Sequence, residues 1–270
     1  MLIKVSITMN IRYFVLSILL SLATLSPLQA SSTPYSLRKY AHVKAFYKTI
    51  TPIVLQISKE KHIPPAAVLA IAGLESGYGQ GYVAQITGNI LSLGAYKSDP
   101  ELPALYLPYS KSKKKILFDP KEIQKLPKSD LVYKKRAPSL KKDYRPLPYA
   151  GSYENLELLK YNEGLRKQAY KACFHDFATK WLSTTSKVAS FREARIWLND
   201  LVKQKGYNAL LSQKTNEQFI SHVGGKPHSF NCRTTWPKKV KYIMHRAGLV
   251  SLVNCMEEKN LNFEQAWKEK

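Results

Sequence analysis

Acidic residues are scarce in this chain: 19 Asp and Glu stand against 42 Lys and Arg in 270 residues, a formal net charge of +23. Cysteine is scarcer still, and odd in number, with Cys173, Cys232 and Cys255. Three cysteines cannot make a disulfide scaffold. They leave open one bridge of unassigned pairing or three free thiols. Metal-ligand clusters are missing too. His222, His228 and Cys232 lie six and four residues apart but lack a fourth partner, so no metal site and no cofactor is expected. Long apolar runs are absent: Tyr13–Leu25 falls short of the roughly 18–20 residues that a membrane span needs. There is no internal repeat. What remains is ample for a packed core, with 44% hydrophobic and 11% aromatic residues, and this excludes a disordered chain.

The first thirty residues have the pattern of a secretory leader. Lys4 and Arg12 precede the apolar run, and Pro27-Leu28-Gln29-Ala30 then supplies a small residue before Ser31. Residues 1–30 are therefore expected to be a signal peptide, and the mature protein to be exported to the periplasm or envelope with no stable membrane span. No cysteine follows the cleavage position, so a lipid anchor is not expected. Losing Lys4 and Arg12 leaves 40 basic and 19 acidic residues, a net +21. Such an excess calls for a polyanionic neighbour. Export argues against nucleic acid and for anionic envelope polymers.

Downstream, Val43, Phe46, Tyr47, Ile50, Val54 and Ile57 recur at amphipathic-helix spacing, closed by Lys59-Glu60-Lys61. Pro64-Pro65 restarts the chain. Residues 66–75 then read as a helix apolar on every side, as at the centre of a domain, with Gly77 placed to end it. Residues 97–150 differ, with eight prolines, fourteen Lys or Arg and six acids. They read as an inserted lobe with short strands at Lys115–Phe118 and Leu131–Tyr133. Helices resume at Tyr153–Leu165, at Phe174–Leu182, and at a capping box formed by Ser190 and Glu193 and stopped by Gly206. A last strong helix begins at Trp236-Pro237 and ends at Gly248. The expectation is a mainly α, lysozyme-like α+β domain over 35–257, with a tail from 258 to 270.

One residue asks for an explanation. Glu75 sits at the end of the all-apolar helix, where both burial and the helix dipole disfavour its charge. Both effects raise a carboxyl pKa, and a carboxylic acid kept protonated near neutral pH can act as a general acid.

The stretch Ile63 to Gly79 resembles the catalytic-helix motif of the glucosaminidase domain of glycoside hydrolase family 73, bacterial cell-wall enzymes of the lysozyme superfamily. The family's Asn-Leu-Phe-Gly-Ile stretch is similar to residues 88–94. Its Ser-aromatic-x-acid helix is similar to Ser190–Ala194 running on to Tyr207–Leu210. Its late tyrosine turn aligns on Ser229–Pro237. The resemblance covers roughly 40–95 and 185–250. It implies an endo-β-N-acetylglucosaminidase that cleaves the β-1,4 bond after N-acetylglucosamine in peptidoglycan, with Glu75 as general acid. Glycan strands would be the partner, and Tyr78, Asn89, Phe230 and Trp236 the substrate contacts, with Tyr82 another ring for stacking. A second carboxylate is expected on the lobe, among Asp99, Glu101, Asp119, Glu122, Asp130 and Asp143. Asp119 and Glu122 lead, because they flank the Ile116–Phe118 strand.

Two positions depart from the family. Its late tyrosine falls on Phe230, which has no hydroxyl for which Tyr78 or Tyr207 would have to substitute, and the neighbouring aspartate falls on Arg233. The alternatives are a lytic transglycosylase, which needs no second carboxylate, and a catalytically weak wall-binding protein.

Overall fold

The computed structural model describes residues 35–95, 99–136 and 144–269. The expected leader (1–30) and Asp143 lie outside them. The domain is mainly helical with one small sheet. Helix α1 (Ala41–Lys61) buries every apolar position that the periodicity singles out. Helix α2 (Pro65–Ser76) is solvent-free from Pro65 through Gly73, as an all-apolar sequence requires. Around it pack α1, helix α8 (Gln213–Val223), helix α9 (Trp236–Arg246) and helix α10 (Leu249–Glu257). Helices α3 (Tyr82–Thr87) and α4 (Pro120–Gln124) are short, and α5 (Leu158–Tyr161), α6 (Glu163–Asp176) and α7 (Ala189–Lys205) lie between the lobe and α8 in the chain. A further short helix, α11 (Phe263–Lys268), follows α10.

The start of α2 is held by a residue 149 positions away. Pro64 contributes no capping side chain, and the orphan Ala67 amide donates instead to Oδ1 of Asn216 at 2.8 Å. The Asn216 Nδ2 donates to the carbonyls of Leu210 and Ser212, 2.8 Å each. This fully buried amide therefore satisfies three backbone groups at once, tying α2 to the start of α8.

The lobe region carries an antiparallel sheet in the order β2-β1-β3, with β1 at Tyr106–Ser110, β2 at Lys115–Ile116 and β3 at Leu131–Lys135. The expected strands are present, although β2 stops two residues early. The central strand β1 is not anticipated by the sequence, because Pro108 argues against a central strand. It is tolerated because β2 pairs only at Tyr109 and Ser110, which leaves β1 nearly an edge at Pro108.

Three local expectations are corrected. Ser190 and Glu193 form no capping box: α7 begins at Ala189 with Val188 as its cap residue. Ser190 is instead buried in the first turn with its hydroxyl towards the His228 carbonyl (3.4 Å), and Glu193 reaches Lys226 at 3.6 Å. The helix expected across Tyr153–Leu165 is divided, because the Asn162 side chain accepts from the Leu165 amide (2.9 Å) and starts α6 afresh. Finally, the residues expected as a tail are built into the domain. Phe263, Ala266 and Trp267 are buried, and Arg38 donates to the carbonyls of Ala247, Gly248, Trp267 and Glu269 at 2.6–2.9 Å. The three cysteines are free thiols. Among the described residues no helix is long and apolar enough to cross a membrane.

Replacing Asn216 by Ala strands the Ala67 amide and two carbonyls in the core. Equilibrium urea unfolding should show a loss of about 2–3 kcal/mol, the cost of unsatisfied buried polar groups. Lys214→Ala on the exposed face of the same helix should stay within about 0.5 kcal/mol.

Candidate active site

Helix α2 stops because Gly77 adopts the left-handed conformation (φ 56°), and the Tyr78 amide turns back to the Gly73 carbonyl at 2.9 Å. Ser76 reinforces the turn: its hydroxyl donates to the Ala72 carbonyl (2.6 Å) and accepts from the Gly79 amide (2.8 Å). Glu75 is thereby fixed in the last turn, half-buried rather than free in water.

Its carboxylate has a specific partner. The indole Nε1–H of Trp236 donates to Glu75 Oε1 at 2.6 Å, across 161 residues of sequence. Burial pushes the carboxyl pKa above its ordinary value of 4.5. The Trp236 hydrogen bond, the nearby Arg233 charge and the neighbouring Ser92 hydroxyl pull in the opposite direction without cancelling it. Among the described residues none of the groups acting on this carboxyl is an acid.

Trp236 opens α9 and is 3% exposed, so it does not stack on a ligand; its task is to hold Glu75. Gly224 makes room for it, since a Cβ there would lie 2.2 Å from the six-membered ring. Phe230 also belongs to this support. Its ring is 5.4 Å from that of Trp236 and about 6 Å from Phe177 and Phe191, forming an aromatic wall behind the indole.

On the opposite side stands the 88–94 stretch. Asn89 is buried, accepts from the Leu93 amide (2.9 Å) and donates to the carbonyls of Leu93 (2.8 Å) and Tyr144 (3.1 Å). Its amide is consumed in folding this turn, so it positions the loop rather than touching substrate. Ser92 is carried at the tip with φ 49°, and its hydroxyl donates to the Glu75 carbonyl at 3.3 Å. Tyr78, on the other flank, has φ 58°. Two non-glycine residues in the left-handed region around one carboxyl mark a place where surrounding structure holds strain.

Tyr78 is half-buried, with its ring against Tyr47, Phe46 and His42; of the expected substrate contacts, Tyr78 and Phe230 keep exposed surface, whereas Asn89 and Trp236 are buried. Tyr82 is buried in a separate cluster with Ile86, Leu105 and Leu107. The Tyr207 hydroxyl is taken up by Ser58 at 3.3 Å.

The lobe acids have other employment. Asp119 caps α4, accepting from the Lys121 amide at 2.9 Å. Glu122 pairs with Lys113 (2.7 Å) and Lys115 (3.5 Å), which lowers its pKa. Asp130 accepts from Ser110 and Ser112, Asp99 pairs with Lys180 at 2.6 Å, and Glu101 is exposed. The leading pair is thus engaged within the lobe rather than joined to Glu75. Sequence reasoning misses Ser92 and Arg233 as site residues. The signal for Arg233 is a charged residue three positions before Trp236; Ser92 carries none. Among the described residues no group of three or more His, Cys, Asp or Glu could hold a metal ion.

In comparison with known proteins, no family model, no curated protein and no solved structure matches the chain. Any functional assignment therefore rests on this geometry and on the sequence motifs.

Because folding raises the Glu75 pKa, the native state holds that proton more tightly than the unfolded chain. Stability then falls as pH rises from the unfolded pKa through the folded one, so the raised pKa costs stability above the ordinary carboxyl range. Glu75→Gln should therefore melt a few degrees higher than wild type at pH 7. That advantage should vanish below the ordinary carboxyl pKa, as followed by circular dichroism across a pH series.

Proposed function

We propose that the protein is an exported glycosidase of the bacterial cell wall, lysozyme-like in architecture, which cleaves the β-1,4 bond after N-acetylglucosamine with Glu75 as general acid. The observation that carries this reading is a carboxyl with raised pKa at the end of a buried helix, held by the Trp236 indole at 2.6 Å. Protonated Glu75 gives its proton to the glycosidic oxygen as the bond to C1 breaks, and the leaving sugar departs with a neutral hydroxyl. Water then adds to C1 and returns a proton to the carboxylate, restoring the acid. Desolvation keeps the proton available, while Trp236 fixes which oxygen can carry it.

The absence of an acid among the described groups acting on Glu75 favours a second reading, a lytic transglycosylase on the same polymer. That reaction takes its nucleophile from the sugar's own hydroxyl and needs no second carboxylate. A substrate acetamido group acting as nucleophile removes the same need within the hydrolytic reading. The lobe supports an encounter with anionic envelope polymers: Lys113, Lys114 and Lys115 are exposed, with Phe118 open to solvent nearby.

Mass spectrometry of digested sacculi separates these chemistries. Reducing-end N-acetylglucosamine is expected from hydrolysis, and anhydromuramyl ends would replace it if the transglycosylase reading holds. Glu75→Gln should lower activity by about 10²–10⁴-fold, the share of a general acid. Equal activity of mutant and wild type, or none in either, would remove Glu75 from catalysis.

The residues behind Glu75 have their own signature. Trp236→Phe keeps an aromatic ring but deletes the N–H that favours the carboxylate. The alkaline limb of the pH–rate profile should move to higher pH, since the acid then holds its proton longer.

A further inference from the structure

A groove of about 350 Å³ opens where α1, the turn after α2, and α6 meet; Glu75, Trp236 and Ser92 do not line it. At its floor is Tyr170, 4% exposed, whose hydroxyl has no protein partner among the described residues and lies 3.4 Å from where a Cβ on Gly79 would be. That hydroxyl opens to the groove rather than being sealed in the core, and it can donate to a ligand bound there.

Of the other polar side chains around it, two are cations and the rest can both donate and accept. Arg166 is anchored by its Nη1 to the carbonyls of Leu159 and Lys160, 3.1 Å each, which leaves Nε and Nη2 unpartnered among the described residues. Lys160 lines the groove as well, sharing its ammonium with Glu157 at 3.2 Å. His42 and Gln80 stand at the rim. Among the described residues no acid lines the groove, although Glu157 lies just behind Lys160. Part of the lining is apolar, formed by Phe46, Ala45 and the ring of Tyr78.

We propose that this groove is a binding site for a small organic oxyanion, with the Tyr170 hydroxyl and the Arg166 guanidinium on the charged head and the Phe46–Tyr78 wall on the apolar body. A planar fork beside a hydroxyl suits a carboxylate or a phosphate ester. The apolar wall and a volume within the range of small-molecule sites favour an organic ligand over a bare inorganic ion. The site does not use Glu75 and does not depend on the proposed wall chemistry.

Isothermal titration with three probes tests it: N-acetyl-alanyl-alanine, its C-terminal amide, and glycerol phosphate. Full-length protein should bind one or both anions and not the amide. Tyr170→Phe, which removes only that hydroxyl, should weaken anion binding about tenfold or more, the share of a hydrogen bond to a charged group. Arg166→Gln should weaken it further, and Glu75→Gln should bind as wild type. Preference for the dipeptide names a carboxylate ligand and preference for glycerol phosphate a phosphoryl one; either supports the site. Equal binding of dipeptide and amide, no binding of either anion, or an unchanged affinity in Tyr170→Phe would overturn it.

Discussion

The hydrogen bond from the Trp236 indole to Glu75 is the constraint around which this domain is arranged. A half-buried carboxyl at a helix C-terminus is unfavourable as an anion, and water would ordinarily solvate it. Here one side of it is occupied by an indole that cannot turn away, because Phe230 and Gly224 leave its ring a single slot. Burial outweighs the hydrogen bonds and the Arg233 charge that favour the anion, and the pKa rises for that reason.

That arrangement needs both ends of α2 to be immobile. At one end, Asn216 commits a fully buried amide to the Ala67 N–H and two carbonyls. At the other, Gly77 and the Ser76 hydroxyl turn the chain sharply. Asn89 does for the facing loop what Asn216 does for the helix: its amide is used up on backbone groups, and Ser92 is delivered to Glu75 as a consequence. Rigid supports bearing strained neighbours fit a site whose geometry matters more than its stability.

The basic lobe and the Tyr170 groove are separate features that would meet anions in different ways. The lobe's lysines are exposed and mostly solvated, with single partners such as Glu122, so their attraction to polyanions is long-ranged and screened by salt. The groove is small and walled, and it concentrates a few donors about one hydroxyl. One suits capture of a polymer, the other recognition of a defined anionic group.

Where periodicity is strong, the sequence by itself determined the structure. Helix α1, the all-apolar α2 with its glycine stop, and α9 with Pro237 at its start follow from spacing and end signals that act within a few residues. Glu75 can be singled out for the same reason, since an acid closing an apolar helix is a local anomaly. Tertiary structure alone decided the rest. In sequence Trp236 reads either as a core ring at a helix start or as a stacking ring, and Phe230 as a substrate contact; the structure buries Trp236 with its indole on Glu75 and sets the Phe230 ring against it. Asp119 and Glu122 are open candidates until α4 and two lysines claim them. Ser92, Asn216 and Tyr170 have no sequence signature of their roles. Each is placed by packing between segments far apart in the chain, and no short window of sequence contains that packing.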